Sequence, residues 1–406
     1  MKRPASNAKS SGNRNARRRG QNVPDVERLL KQKRNTDREG KEEQRMKRRI
    51  GILSAGGDCP GINAVIRAAA KTAMAHGVEV IGFLGGYGGL VEGVYRVLDA
   101  TAISGLLHRG GTILGSNNRY NPMRYPVVED GRTVYKDCTE QALATVRSLG
   151  IEGVISIGGD GTLAVAKEMQ KRGLKAVAVP KTIDNDLPDT DQTFGFDTAV
   201  TTATEALDKL HTTAESHHRV MVLELMGRDA GWIALMSGIA GGADVILMPE
   251  IPWNIDAVAR KINERKANGK PFSIVVVAEG VPGPDGKPVV RARIEDSHEP
   301  VRLGGIGHVV GELIEKHTGI ETRVTVLGHI QRGGSPTPFD RVLATRLGVA
   351  AAERALAGQW NTMVCLRAGR IEAVPFENIA PGTRRVPPDH ELVQAARAIG
   401  ISFGDA

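Results

Sequence analysis

Residues 48–77 read RRIGILSAGGDCPGINAVIRAAAKTAMAHG. An apolar run, Ile50 to Leu53, ends in Gly56, Gly57 and Asp58, and apolar residues then recur at helical spacing from Ile62 onward. That pattern predicts a strand, a tight glycine turn and an amphipathic helix. The unit repeats down the chain. VEVIGFLGG (78–86), VISIGGDG (154–161), LKAVAVP (174–180), RVMVLELMG (219–227), ADVILMPE (243–250) and FSIVVVAEG (272–280) read as further strands. Helical patterns separate them, among them TEQALATVRSLG (139–150), LAVAKEMQKRG (163–173), TTATEALDKLHTTAESHH (201–218), AGWIALMSGIAGG (230–242) and a polar stretch near Ile255 to Lys266. Strands alternating with helices predict an α/β protein with parallel sheets covered on both faces. Ligands in such folds bind beyond the carboxyl ends of the strands, so the loops after the apolar runs are the candidate site.

A chain of 406 residues has room for two domains or one large α/β unit, and 41% hydrophobic residues with 49 glycines suit a globular fold rich in tight turns. No apolar stretch is long enough for a membrane span, and the N-terminus carries no signal-like apolar segment. Cys59, Cys138 and Cys365 are far apart, match no metal spacing, and read as free thiols of a reducing cytoplasm. The formal charge of +8 is unevenly spread: residues 1–50 hold 17 of the 54 Lys and Arg and 6 of the 46 Asp and Glu. The remaining 37 and 40 leave the rest of the chain slightly acidic. Residues 1–47 read as a disordered basic tail, with one short helix near VPDVERLLKQKRN. A solvated tail is one reading and tethering to a polyanion is another. Deleting the tail separates them.

The strand-end loops are SAGGDCPG, GGYGGL, RGGTILGSNNR, SIGGDGT, VPKTIDND, LMGRDAG, VVAEG and LGHIQRGGSP. Any one of them fits an ordinary turn, but eight together look like one site built from many loops. SAGGDCPGINAVIR and SIGGDGTLAVAKEM have the strand–glycine–helix form that brings backbone N–H groups to phosphate. Neither is a P-loop or a dinucleotide fingerprint. Asp160 inside the second turn would repel phosphate unless a cation lay between, and magnesium prefers that mixture of carboxylate, water and phosphate oxygens. VPKTIDNDLPDTDQTFGFD (179–197) holds five aspartates and Lys181. Asp184 and Asp186 fall on one side of an extended segment, one suited to act as a base toward a hydroxyl and the other to support metal or water. Asp189, Asp191 and Asp197 read as turn and helix-cap residues. Arg219, Arg228, Arg323, His329 and Arg332 supply cationic partners for phosphate, and Glu279 suits a sugar hydroxyl. Each of these also fits a surface ion pair or a loop cap.

GGDCPGIN, GGDGT, PKTIDND, GFDTA, SHHR, MGRDAGWIAL, AGGAD, AEG and GHIQRGGSPTPFDR, in this order, resemble the 6-phosphofructokinase family. The resemblance covers Arg48 to the helix after Arg341. It implies two Rossmann-like three-layer lobes with the active site between them. The first is a nucleotide and magnesium lobe over 48–185, with part of the C-terminal chain packing back. The second is a sugar-phosphate lobe over 186–376, followed by a C-terminal extension, 377–406, that offers a short helix. It implies phosphoryl transfer from ATP to the 1-hydroxyl of fructose 6-phosphate, with Mg2+ as cofactor. Carried over residue by residue, it puts Gly56, Tyr87, Arg119, Asp160, Gly161 and Thr162 on the nucleotide, with Asp160 the magnesium ligand. Asp184 becomes the proton acceptor, beside Thr182 and Asp186. Met226, Gly227, Arg228 and Glu279 line the sugar, and His329 and Arg332 clamp its 6-phosphate. Arg219 and Arg323 reach in from a neighbouring subunit, which implies a homo-oligomer, dimer or tetramer.

Gly161 and Lys181 decide the donor. Pyrophosphate-using members carry an aspartate after the GGD aspartate, whereas Gly161 leaves room for the α-phosphate of ATP. Lys181 is a residue that pyrophosphate enzymes share, and its ammonium also balances charge in an acidic loop. ATP is the expected donor and pyrophosphate the alternative. Arg67 and Lys71 match part of the bacterial effector pocket, but His211 and Phe272 stand where effector contacts are expected, so allosteric control is not expected. NAD kinases and lipid kinases share GGDGT without PKTIDND and GHIQRGG. The expected location is cytoplasmic, with neither membrane nor nucleic acid as partner.

Overall fold

The computed structural model describes residues 48–293 and 301–405. The basic tail and its short helix lie outside the described residues. From Arg48 the chain starts with β1 (Arg49–Ser54), α1 (Ile62–Ala75), β2 (Glu79–Phe83), α2 (Tyr87–Glu92) and β3 (Tyr95–Val97). A hairpin, β4 (Tyr125–Glu129) and β5 (Arg132–Lys136), precedes α3 (Thr139–Ser148), β6 (Ile151–Gly158), α4 (Asp160–Lys171) and β7 (Ala176–Pro180). The long α5 (Phe196–His217) leads into β8 (Val220–Leu225), α6 (Trp232–Ala240), β9 (Val245–Leu247), α7 (Ile255–Ala267) and β10 (Ser273–Ala278). A second small hairpin, β11 (Val290–Arg293) and β12 (Val301–Leu303), is followed by α8 (Ile306–Thr318) and β13 (Thr322–Val326). The chain finishes with α9 (Pro338–Leu356), β14 (Thr362–Arg367), β15 (Arg370–Pro375) and α10 (Glu391–Ala398).

Two sheets organise these elements. The first has seven strands in the order β15-β14-β7-β6-β1-β2-β3, parallel except for the two edge strands. The second has four parallel strands in the order β13-β8-β10-β9. The inner strands β1, β6, β7, β8 and β10 are buried along nearly their whole length because both faces of each sheet are covered there, whereas β3, β13 and β15 at the edges are largely exposed or half-buried. On β1 and β6, Ile50, Ile52, Ile155 and Ile157 enter the main core, while Leu53 and Val154 enter a second cluster under α2 and α3. The main core is continuous with the apolar strands of the second sheet, from Val220 to Leu225 and from Ile274 to Ala278.

The chain enters the first sheet, builds the second, and then returns. β14 and β15 join β7 at the edge of the first sheet, so the returning chain begins well before the boundary at 376 that the sequence predicts. The physical reason is local: β14 is buried along most of its length and needs β7 as a parallel partner, while β15 closes the edge through a two-residue turn. α9 joins the two halves. Its buried Asp340 accepts hydrogen bonds from the Thr198 N–H (2.8 Å) and hydroxyl (2.6 Å) at the start of α5. The three cysteines are free thiols. Among the described residues, no helix is long and apolar enough to cross a membrane.

Candidate active site

β1 and β6 lie side by side, yet the helices that follow them connect to opposite halves of the sheet, to β2 and to β7. The loops after β1 and β6 therefore diverge and leave a crevice at their carboxyl ends. The first loop is held from both sides. Gly56 donates its N–H to the Asn117 carbonyl (3.2 Å) and accepts the Ser116 hydroxyl (2.5 Å), and the Lys181 ammonium donates to the Gly57 carbonyl. Lys181 is buried, which depresses its pKa. Its positive charge is offset by Asp58 and Asp160 nearby. Asp160 opens α4, exposed at the helix N-terminus where backbone N–H groups face the crevice. Gly161 is half-buried and Thr162 buried beside it.

Tyr87 takes a different place from the one its motif predicts. Its ring is only 2% exposed, and its hydroxyl meets Ser156 Oγ (3.1 Å) and the Thr162 carbonyl (3.3 Å). It supports the GGDGT turn from below, because an aromatic ring between two strand ends is worth more as core than as a ligand contact.

A cavity of about 760 Å³ opens from Gly56, Gly57 and Asp58 and runs past Asn117, Asn118 and the exposed Arg119. Its far wall is one face of the β4–β5 hairpin, made by the directly opposed pairs Pro126–Tyr135 and Val128–Thr133. The Arg124 guanidinium lies 4.1 Å from the Tyr135 ring centroid. Sequence reasoning passed over this hairpin, although its signal was present. Asp130 and Gly131 sit at φ 50° and 75°, the two-residue turn that Asp-Gly favours between alternating apolar residues.

After β7 the chain alternates. Lys181, Ile183, Asn185 and Leu187 are buried, whereas Thr182, Asp184 and Asp186 are half-exposed on the other side. The two carboxylates share the half-exposed positions of this alternation, although Asn185 between them adopts a left-handed φ of 54° rather than an extended one. The Asp184 N–H donates to Thr182 Oγ1 (3.1 Å). Burial raises the Asp186 pKa, and the neighbouring Asp160 carboxylate raises it further. Among the described residues no group of three His, Cys, Asp or Glu could hold a metal alone. Two mutually repelling carboxylates beside a phosphate crevice do fit magnesium, which takes the rest of its oxygens from phosphate and water. Asp189 and Asp191 are indeed structural. Asp189 accepts from Arg367 (2.7 Å) and the Ala380 N–H (2.7 Å), and Asp191 accepts the Ala368 N–H (2.6 Å).

The second sheet brings its own loops to this place. Glu279 follows β10, and its pKa is pushed up to about 7 by burial first and then by Asp184 and Glu224. Arg332 and Arg228 oppose that shift. The loops behind them are packed to the limit: a Cβ on Gly280 would stand 1.8 Å from the Arg228 carbonyl, so no larger residue fits. Gly227, at φ 135°, accepts the Gly280 N–H (3.1 Å). The Met226 N–H donates to the buried Gln331 Oε1 (2.8 Å), fixing the β8 loop to the turn that carries His329 and Arg332. Arg332 reaches the first lobe, with Nη1 3.3 Å from the Asp58 carbonyl. His329 is exposed on the same turn.

Arg219 and Arg323 are not brought to this site. They flank the amino ends of β8 and β13, where both pair with Glu321. The six-residue β8 puts Arg219 about 20 Å from the carboxyl-end loops, and Arg323 stands near the amino end of β13. His211 and Phe272 pack edge to face, 6.0 Å between ring centroids, with the His211 Nε2 on the Gly241 carbonyl (2.7 Å).

With this geometry in hand, the likeness to known proteins is specific. Residues 49–355 match the family described as Phosphofructokinase. The ATP-dependent 6-phosphofructokinase 2 of Clostridium perfringens is 50% identical over 364 residues, which is 88% of this chain and 99% of that one. The ATP-dependent 6-phosphofructokinase of Chloroflexus aggregans is 51% identical over 362 residues, 88% of this chain and 98% of that one. Among solved structures, Pichia pastoris phosphofructokinase superposes with a TM-score of 0.71 at 32% identity, over 82% of this chain and 35% of that chain. A pyrophosphate-dependent phosphofructokinase from Marinobacter aquaeolei reaches a TM-score of 0.71 at 23% identity, over 88% and 92%, and speaks for the fold alone.

Proposed function

The chain belongs to the phosphofructokinase family, and from that premise we infer that the protein uses ATP to phosphorylate the 1-hydroxyl of fructose 6-phosphate, the committed phosphorylation of glycolysis. Close relatives over nearly the whole folded chain carry the ATP-dependent name. The observation that supports the site assignment best is the meeting of two lobes at one place: Arg332 from the second reaches the Asp58 carbonyl of the first (3.3 Å), and the charges of Asp184, Arg228 and Arg332 all act on Glu279.

In this reading the phosphates of ATP lie on the Gly56 loop and the α4 N-terminus, with Arg119 alongside. The nucleoside extends toward the hairpin face. Asp160 and Asp186 would hold Mg2+, which supplies charge neutralisation on the transferring phosphate. The sugar lies against Met226, Gly227 and Glu279, its 6-phosphate against His329 and Arg332. Asp184 takes the proton of the 1-hydroxyl as that oxygen forms its bond to the γ-phosphorus and the bond to ADP breaks. Thr182 and Arg228 orient the acceptor and the transferring group. Lys181, buried on the Gly57 carbonyl, fixes the two phosphate loops relative to one another. Gly161 leaves the α-phosphate space open. The first lobe is thus the nucleotide lobe and the second the sugar-phosphate lobe. In this reading Arg219 and Arg323, which pair with Glu321 at the amino end of the second sheet, serve a neighbouring subunit's sugar phosphate, and a homo-oligomer is part of the proposal. A glycolytic kinase of this kind acts in the cytoplasm.

Turnover of fructose 6-phosphate with magnesium and either ATP or pyrophosphate tests it. Activity with ATP alone is the expected result. Activity with pyrophosphate alone would assign Lys181, rather than Gly161, the choice of donor. No turnover with either would overturn the sugar-site assignment.

A further inference from the structure

The chain after Phe376 forms more than the terminal helix that its sequence predicts. Residues 380–386 run as a strap between the loop that carries Asp184 and the start of α6. On one side, Arg384 donates from Nε to the Asn185 carbonyl (3.2 Å) and from Nη1 to the carbonyls of Thr190 (3.0 Å) and Asp191 (2.7 Å). Its backbone N–H donates to the Asp186 carbonyl (2.7 Å). On the other side, its own carbonyl accepts Trp232 Nε1 (2.9 Å), and its guanidinium lies 4.6 Å from the Trp232 ring centroid. Two residues on, the Val386 N–H donates to Glu250, whose carboxylate also accepts the Gly231 N–H (2.9 Å). Gly231 and Trp232 directly follow the loop bearing Arg228.

The acceptor loop lies outside any strand or helix; Thr193 ties its two ends together through the Thr182 carbonyl (2.7 Å) and Asn185 Oδ1 (3.0 Å), but neither bond reaches the carbonyls of Asn185, Asp186, Thr190 and Asp191. Four of its carbonyls converge instead on one residue from the far end of the chain. A guanidinium suits that task because its donors diverge in one rigid plane; an ammonium cannot meet the same carbonyls at once. We propose that Arg384 is a positioning residue for phosphoryl transfer, holding the loop of Asp184 and Asp186 in register with the loop of Arg228. The proposal rests on the kinase reading above. Arg384 touches neither substrate; it acts by keeping the proton acceptor and the sugar loop at a fixed separation.

The full-length protein and its Arg384→Ala, Arg384→Lys and Val393→Ala variants test this. Val393 is buried in α10 and serves as a control for lost C-terminal packing. A misplacement of the acceptor loop by about 1 Å is expected to lower kcat of Arg384→Ala about 100-fold. The KM values for ATP and fructose 6-phosphate should stay within about threefold, since the substrate contacts remain. Added guanidinium ion should restore part of the lost kcat in Arg384→Ala and none in Val393→Ala. Val393→Ala should melt earlier and keep its kcat. Where Arg384→Ala does not fold, Arg384→Lys keeps the charge and should lose about tenfold in kcat. Hydrogen exchange of the amides in 182–193 should quicken in both Arg384 variants. An unchanged kcat with unchanged exchange, or a kcat loss that merely follows melting temperature as in the control, overturns the proposal. Absence of turnover in the unaltered protein would overturn the kinase reading instead, and the exchange rates would still decide whether Arg384 holds the loop.

Discussion

Glu279→Gln separates two opposing effects of one carboxyl group. An ordinary glutamate titrates near 4.5, whereas burial and the carboxylates of Asp184 and Glu224 push Glu279 up to about 7. At about 1.4 kcal/mol per pH unit, ionising Glu279 in the folded protein costs about 3 kcal/mol more than in the unfolded chain. Below pH 4.5 both states keep the proton. Between 4.5 and about 7 the unfolded chain has released it and the folded protein has not, so stability falls as pH rises through this window and the loss is complete above it. With an unfolding entropy of about 2.1 cal/mol/K per residue over the unit Arg48–Ala406, that loss corresponds to about 4 °C in Tm. Gln does not titrate. Part of this loss falls below pH 5, so calorimetric melts of both proteins from pH 5 to pH 8 should show the substituted protein gaining about 3 °C relative to the unaltered one.

Substrate binding should move the other way. The ionised carboxylate is the better acceptor for sugar hydroxyls, so affinity for fructose 6-phosphate should rise with pH through about 7 in the unaltered protein and lack that rise in Glu279→Gln. Comparing the two proteins cancels the titration of the sugar phosphate itself. Melting curves that run parallel from pH 5 to pH 8 would refute the reasoning, because they would mean that Glu279 carries its charge in the folded protein at no cost.

Two further outcomes follow from the site. Asp184→Asn should lower kcat about 1,000-fold, the usual contribution of a general base, with the calorimetric dissociation constant for fructose 6-phosphate changed little; retention of activity would assign the proton to another group. On the hairpin, Tyr135→Ala and Val128→Glu should each raise KM for ATP about tenfold and leave KM for fructose 6-phosphate alone, since the opposed pairs of β4 and β5 line only the first-lobe cavity. Equal changes in both KM values would remove the hairpin from the nucleotide site.

Much of the molecule was legible from residue order alone. Burial on both faces of a parallel sheet writes itself as unbroken apolar runs, and helices write a period near 3.6, so β1, β2 and β6 to β10, with α1 and α3 to α7, follow directly from the sequence. Glycine and aspartate at strand ends marked the loops that carry Gly56, Asp160, Asp184, Arg228, Glu279 and Arg332, because chemistry at a switch point needs close backbone approach and charge. The hairpin was legible too, through Asp130 and Gly131.

Other features were decided by packing across long separations, which no local pattern records. Tyr87 has a motif position near the nucleotide, but the space beneath the GGDGT turn takes its ring into the core. Arg219 and Arg323, which the resemblance assigns to a neighbouring subunit, pair with Glu321 at the amino ends of β8 and β13, a placement set by strand direction. The acidic loop from Asp184 to Asp191 reads in sequence as two site carboxylates followed by turn residues, but the partners of those turn residues are not written in it. The fold divides it: Asp184 and Asp186 face the site, while Asp189 and Asp191 bind groups more than 170 residues later in the chain. Arg384 had no signal in the sequence, since its partners are backbone carbonyls of a distant loop, and every residue type offers those. Local periodicity and turn chemistry thus determined most of the elements and marked the loops of the candidate site. Which charges face the candidate site, and which hold the chain together, was decided by strand direction and by the return of the C-terminal segment to the first sheet, outcomes set by burial rather than by any short-range preference.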